Sequence, residues 1–393
     1  MVSDASGIVS RRSVVRGLGL GGATILVTAA GLVSYRAFDN GVMDAGSGAP
    51  YDAWTHWRTD PTPVGAVGAA ILAASPHNQQ GWAFRVTAQA VDVFADPTRE
   101  MPMTDPLRRE HHVGLGCAIE NLVLGLLARG YHSEVILMPS AADPTHVASV
   151  TLTSVEATSS SLHDAIGDRH SNRGPYEHGQ VADAVLGELA GPTGDGGVRV
   201  HWLTSTAEKK AFSTIVIEAT QAIIEDRGQS EEFFIRFRNN RDDIDRFRDG
   251  VTLDGQGLAP LTLTLAKLLP AYSRAEGDQF WLDQTRTVHT ATAAAFGVVT
   301  VTDADDPRLR LAGGRLLQRV HLGATSRGLG MQHMNQVTER IDREHEQSLP
   351  ASFAPRLREL LPAGVVPLVA FRLGTPVRTS RPSPRRPLKD VVL

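Results

Sequence analysis

Strand-like and helix-like stretches alternate along most of this chain, and one helix pattern occurs twice. Together they predict an α/β or α+β fold assembled from two related halves. The repeat lies between "GCAIENLVLGLLARGY" and "GRLLQRVHLGATSRGL", at a constant offset of 198 residues. Gly116 matches Gly314, Leu124 matches Leu322, Gly125 matches Gly323, and Arg129-Gly130 match Arg327-Gly328, five identities in fifteen ungapped positions. Both copies end in Arg-Gly, a helix stop in which the cation complements the helix dipole. With 393 residues and 42% apolar content, the chain can fill the core of two domains or of one large one.

The elements follow in order. Arg11 and Arg12 precede a Gly/Ala-rich stretch from Gly17 to Tyr35 that carries no charge. A charged start and a mildly apolar run of that kind predict an export signal of twin-arginine type, or a membrane anchor, over residues 1–35. The G-x-G-x-x-G spelled by Gly17, Gly19 and Gly22 follows no strand and has no acidic residue at the required distance, so it is set aside as a dinucleotide site. Residues 36–63, rich in Gly, Pro and Asp, read as a linker. The run "GAVGAAILAA" then reads as a helix, closed by Ser75-Pro76 because Pro disfavours helical geometry in the residue before it. A turn crowded with uncharged donors and acceptors, "SPHNQQGW", leads to the strand "VDVFAD". A helix from about His112 to Arg129 and strands at "EVILMP" and "HVASVTLTSV" complete the first half.

Helical "SLHDAIGDRHSN" and "VADAVLGELA" open the second half, followed by extended "VRVHWL". Residues 207–248 read as charged helix, broken by the glycines of "DGVTLDGQGLAP" before more helix over 261–295. A strand "GVVTV", the second copy of the repeated helix, a strand "VVPLVAFRLG" and a Pro/Arg-rich tail finish the chain.

A net charge of −4 argues against nucleic acid as a partner, and the lone Cys117 leaves no intrachain disulfide or Cys-rich metal site. No G-x-S-x-G, H-E-x-x-H or phosphate-loop motif occurs. His111 and His112 read as capping or surface residues rather than metal ligands, and Asp303, Asp305 and Asp306 lack the Gly and Glu that a calcium loop needs.

Two segments invite chemistry. Arg169, His170, Ser171 and Arg173 in "RHSNR" cluster cations with a hydroxyl at a helix end, a donor set able to chelate phosphate. Arg381, Arg385 and Arg386 stand in the Pro-framed tail, a composition that by itself reads as disorder. These segments, the "SPHN-Q-W" turn and the C-terminal "RLG-P…RRPL-DVV" together resemble the FMN-dependent nitroreductase family, in its duplicated, dormancy-associated branch. The resemblance runs from about residue 64 to 393.

The resemblance implies an α+β nitroreductase-like fold, duplicated as a monomeric single-chain pseudo-dimer, with halves at 64–165 and 166–393 and a helical insertion over about 207–290. It implies FMN held between the halves and NAD(P)H as co-substrate. Ser75, Pro76, His77 and Asn78 would come from the first half, and Arg169, His170, Ser171 and Arg173 from the second, with Arg385 joining at the phosphate. The pseudo-symmetric mate lacks both pieces, so one flavin per chain is expected. Gln80-Gly81-Trp82 replaces the family's Q-P-W, which is expected to loosen that turn. Residues 231–260 have no counterpart in compact members and read as a lid or as a surface excursion. An uncovered flavin would favour oxidoreductase activity, and a lid would favour storage of FMN without turnover.

Overall fold

Two four-stranded antiparallel sheets, each covered by one long helix, make up the core of a computed structural model that describes residues 40–42, 45–191 and 197–393. The expected export or anchor segment lies outside the described residues. The first sheet contains β1 (Trp82–Val86), β2 (Ala90–Ala95), β3 (Val135–Leu137) and β4 (His146–Thr151), in the order β1-β2-β4-β3. The second contains β5 (Arg199–Leu203), β6 (Ala295–Val301), β7 (Gly330–His333) and β8 (Val366–Gly374), in the order β5-β6-β8-β7. Substituting β5 for β1, β6 for β2, β7 for β3 and β8 for β4 turns one order into the other, so the duplication extends to topology. All pairings within both sheets are antiparallel, which fixes the class as α+β.

The repeated helices are α2 (Arg109–Leu127) and α9 (Pro307–Thr325), and they pack against each other. A Cβ added at Gly116 would collide with the carbonyl oxygen of Leu311, and one at Gly314 with that of Val113. The two contacts map onto each other at the 198-residue offset, as expected when a two-fold axis passes between the glycines. At the helix ends, Arg129 donates to the Gly125 carbonyl and Arg327 to that of Gly323, both at 3.0 Å. Glycine serves here as a flat contact that brings two backbones together. Around this seam Leu115, Ile119, Leu122, Leu311, Leu317 and Val320 form one core with the inner faces of both sheets.

The halves differ where the hairpins differ. Three residues join β1 to β2, whereas residues 204–294 intervene between β5 and β6. That insertion carries α4 (Thr206–Glu225), α5 (Arg227–Ile235), α6 (Arg241–Phe247), α7 (Pro260–Leu268) and α8 (Arg274–Gln284). Ser205 with Glu208, and Ser273 with Glu276, close capping boxes at α4 and α8. The insertion therefore grows from a hairpin position, leaving the duplicated core intact.

Two expectations change. The stretch read as a linker is part of the core from about Ala49 onward, because Tyr51, Trp54 and Trp57 are buried. The tail is ordered against the body: Val391 accepts from the Phe84 amide at 2.7 Å and the Leu393 amide donates to Phe84 at 2.8 Å. Four prolines after residue 375 remove backbone donors and stiffen the tail, which lets it lie along another element without forming its own structure.

Candidate functional site

The "SPHNQQ" turn is strained. His77, Asn78 and Gln80 take left-handed φ values of 45°, 57° and 55°, a region that costs non-glycine residues of order 1–3 kcal/mol each. Its amides hold the turn in place. Gln79 Oε1 accepts from Arg236 at 2.8 Å, and Gln80 Nε2 donates to the Arg248 carbonyl at 2.8 Å, both partners lying in the insertion. Gln80 Oε1 accepts from the Arg386 amide at 2.8 Å, while Asn78 Nδ2 donates to Pro384 O at 3.0 Å. The side-chain amides of Asn78, Gln79 and Gln80 thus bind protein. Ser75, Pro76 and His77 line the cavity. Gly81 does not loosen the turn, since the position is packed against the His111 ring, with which a Cβ would collide. His111 and His112 are buried rather than surface residues; burial pushes both rings down to about 4. Asp105, not a histidine, caps α2, accepting from the Glu110 and His111 amides at 3.1 and 2.8 Å.

The "RHSNR" turn reaches the same place from the other half. Its backbone crosses to the second sheet, where the Asn172 amide donates to Met331 O at 2.9 Å. Buried Arg372 of β8 fixes its far end, donating to Gly174 O at 2.7 Å and lying 4.1 Å over the Tyr176 ring. Arg169, His170, Ser171 and Arg173 then line a small pocket of about 50 Å³ together with Ser75, Asn78 and the tail residues Arg381, Ser383 and Arg385.

The charges in this pocket are unbalanced. Arg169 and Arg385 are buried, their guanidiniums 5.8 and 4.6 Å from the Trp54 ring. Arg169 donates to Leu72 O at 2.9 Å, and Arg385 to Asn78 Oδ1 and Ser383 Oγ at 2.6 Å each. Arg173 donates to Gly255 O at 3.2 Å. The Nε groups of Arg169 and Arg385 have no partner. Among the described residues no carboxylate pairs with any of the three. Burial, aided at Arg173 by Arg372, pushes Arg169 and Arg173 down to about 10. Burial and then Arg169 push Arg385 well below its ordinary value. His170, edge-on to Trp54 at 4.4 Å, is driven to about 3 by burial and by Arg169. Two buried guanidiniums and a half-buried one, without a carboxylate partner among the described residues, are costly, and an anion at this point would offset their charge.

Ala74, Ser75, Ser171 and Arg173 also line a second cavity of about 200 Å³ beside the pocket. Its floor comes from Val113, Gly114 and Cys117 of α2, and from Leu317, His333 and Gln336. Phe233, Phe237, Tyr272, Phe280 and Trp281, all from the insertion, form the opposite wall. Phe233 stacks on Trp281 at 4.5 Å and meets the His77 ring edge-on at 4.5 Å. The segment from 231 to 260 is pinned as well: Asp249 accepts from both Arg99 and Arg238, and Gly257 lies so close to Gly174 that no side chain fits between. Among the described residues no group of three His, Cys, Asp or Glu could hold a metal ion.

All nine residues singled out in the sequence therefore meet at one place. Several residues there carried no sequence signal: Trp54, which packs against Arg169, His170 and Arg385, and, lining the cavity, the aromatics of the insertion with Glu110 and Glu339. Glu339 lies on α10 (Gln336–Glu346), a helix absent from the sequence reading.

No family model matches this sequence. The chain is 25% identical over 343 residues, 86% of its length and 93% of the relative's, to a protein of Mycobacterium tuberculosis named as an NAD(P)H nitroreductase, found in two strains. Solved structures it resembles include a nitroreductase with bound FMN from Desulfitobacterium hafniense, 17% identical with a TM-score of 0.34 over 60% of this chain and 98% of that one. Another is a nitroreductase in complex with FMN from Desulfovibrio desulfuricans, 16% identical with a TM-score of 0.34 over 60% of this chain and 97% of that one. The chain is thus a duplicated α+β protein that is similar, along most of its length, to a relative named as an NAD(P)H nitroreductase.

Proposed function

We propose that the chain binds one FMN between its halves and acts as an NAD(P)H-dependent oxidoreductase of nitroreductase type. The observation that carries this is the pocket formed by Arg169, Arg173 and Arg385: the first and last are buried with unpartnered Nε groups, among the described residues none of the three pairs with a carboxylate, and an aromatic-walled cavity adjoins them. These residues fit FMN. The three arginines and Ser171 would hold the phosphate, and His170 would lie beside it. Ser75, Pro76 and His77 would border the ring, and Asn78 would orient Arg385 through its 2.6 Å bond. When bound, the flavin supplies hydride chemistry between NAD(P)H and an acceptor. The residues lining the cavity would set the orientation of both partners. Absorbance spectra of protein reconstituted with FMN, followed by steady-state NADH and NADPH oxidation, test the reading; absence of flavin uptake overturns it.

Storage of FMN without turnover is the second reading, favoured by the aromatic wall from Phe233 to Trp281 that faces the α2 side of the cavity. On that reading the segment 231–260 is a lid, and NADPH oxidation rises when the lid is loosened while flavin stays bound. The proposed organisation keeps the halves at 64–165 and 166–393, with residues 1–35 directing export or anchoring. Replacing Arg11 and Arg12 with Lys tests that last element, since a twin-arginine route would retain the variant in the cytoplasm.

A further inference from the structure

The cavity holds a group of acids that phosphate binding leaves unused. Glu110, at the start of α2, and Glu339, on α10, are both buried and both line the cavity. Their side chains act on each other directly, and Glu110 Oε1 and Glu339 Oε2 have no hydrogen-bond partner. His77 Nε2 stands 4.0 Å from Glu339 Oε1, and its Nδ1 is likewise buried without a partner. The left-handed backbone at His77 and the edge contact with Phe233 fix the ring in that position.

The charged surroundings of this trio come from every side. Asp105 lies in the turn before α2, Glu232 on α5 and Asp342 on α10 itself, while Arg173 and Arg236 act on His77. Glu232 is occupied by the Met103 and Thr104 amides, and Asp342 by Arg109, whose Nε donates at 2.7 Å. Among the described residues no Lys or Arg forms an ion pair with Glu110 or Glu339, and the basic group facing Glu339 is His77. Burial pushes Glu339 up to about 8 and Glu110 well above the carboxylate range, each acid adding to the effect on Glu110, and burial with Arg173 pushes His77 down to about 4. The carboxyls therefore hold protons at neutral pH and the imidazole is neutral, so one ring nitrogen donates and the other accepts.

We propose that His77, Glu339 and Glu110 form a proton relay serving an acceptor reduced in this cavity, with His77 as the donor that touches it. The proposal rests on the oxidoreductase reading. The step balances for an acceptor such as a quinone, which takes a hydride originating in NAD(P)H and is left with negative charge on oxygen. The His77 Nδ1–H bond breaks as the new O–H bond forms. Nε2 takes the proton of Glu339, and the resulting carboxylate accepts a hydrogen bond from protonated Glu110. The 4.0 Å between His77 and Glu339 is crossed through one water or a small rotation. The aromatics of the wall are half-buried, so the relay would compete with solvent as the proton source, and the pH profile of the variants separates the two.

The test has two arms. In flavin-free protein, infrared difference spectra across a pH titration should show a protonated carboxylic acid at neutral pH that disappears with a midpoint of about 8 and is missing in Glu339→Gln. In FMN-loaded protein, reduced in advance with dithionite, reoxidation by a quinone should slow about tenfold per pH unit above that midpoint. Glu339→Gln should slow it about a hundredfold and flatten the pH profile, with Glu339→Asp restoring part of the rate. His77→Gln should give the same flat profile yet keep the infrared band, which separates the donor from its supply. Absence of the band, or parent-like pH profiles in both variants, overturns the relay. Failure of the parent to take up FMN overturns the oxidoreductase reading instead, and the flavin-free spectra still decide whether the acids store protons.

Discussion

Replacing Arg169 with Ala removes one of the two buried guanidiniums, Arg169 and Arg385, from the 50 Å³ pocket, and the effect on ligands can be worked out from its contacts. Arg169 keeps one bond to Leu72 O and one contact with His321 Nδ1 at 3.3 Å, while its Nε is unused. An arriving phosphate therefore gains a charge-assisted hydrogen bond without breaking an ion pair. Such a bond is worth about 1.5–3 kcal/mol, so FMN should bind about 10- to 150-fold more weakly. Riboflavin has the same ring and chain but no phosphate, and its affinity should change by less than about threefold, or about 0.6 kcal/mol. Arg169→Lys keeps the charge but not the planar fork and should fall between parent and Ala. Titrations of flavin fluorescence with parent and both variants give the dissociation constants directly. Equal weakening of FMN and riboflavin would refute phosphate recognition by this arginine and point to a collapsed pocket.

Saturated protein should carry one FMN per chain, measured by flavin absorbance against protein mass, because the second half's counterpart of the "SPHN" turn and the first half's counterpart of "RHSNR" are missing. Gly116→Ala and Gly314→Ala should destabilise the chain to a similar extent, about 1–3 kcal/mol or more in denaturant melts, since each Cβ meets a carbonyl on the facing helix. Asp249→Asn should loosen the insertion by releasing Arg99 and Arg238, at a cost of about 3–5 kcal/mol for breaking a buried pair; flavin release in stopped flow should quicken, and unchanged release would show that the segment does not gate the cavity. Glu339 keeps its proton in the folded state up to about pH 8, against 4.5 for an ordinary glutamate, so its contribution is fully present below 4.5 and is lost as pH rises through 8. Flavin-free stability should fall over that window by at most about 1.4 kcal/mol per pH unit, and Glu339→Gln should flatten the fall in thermal melts across pH.

The residues that sequence alone determined are those whose role is local or periodic. Gly116 and Gly314 stood out because a repeat preserves register, and the shared offset survives as a reciprocal backbone contact between α2 and α9. "RHSNR" stood out because clustered arginines with a hydroxyl suit phosphate whatever surrounds them. Ser75-Pro76 marked a helix end because proline acts on its immediate neighbour. What tertiary structure decided is partnership. Gln79 and Gln80 are two polar residues of a turn in the sequence, and their partners Arg236, Arg248 and Arg386 come from positions more than 150 residues away. The Pro/Arg tail looked unstructured until Arg385 was buried against Trp54 and Asn78. Glu339 gave no signal at all, because a glutamate on an amphipathic helix has the same pattern whether it faces water or a cavity. Its protonation depends on burial and on Glu110, and that proximity exists only when two halves of the chain, far apart in sequence, close around one space.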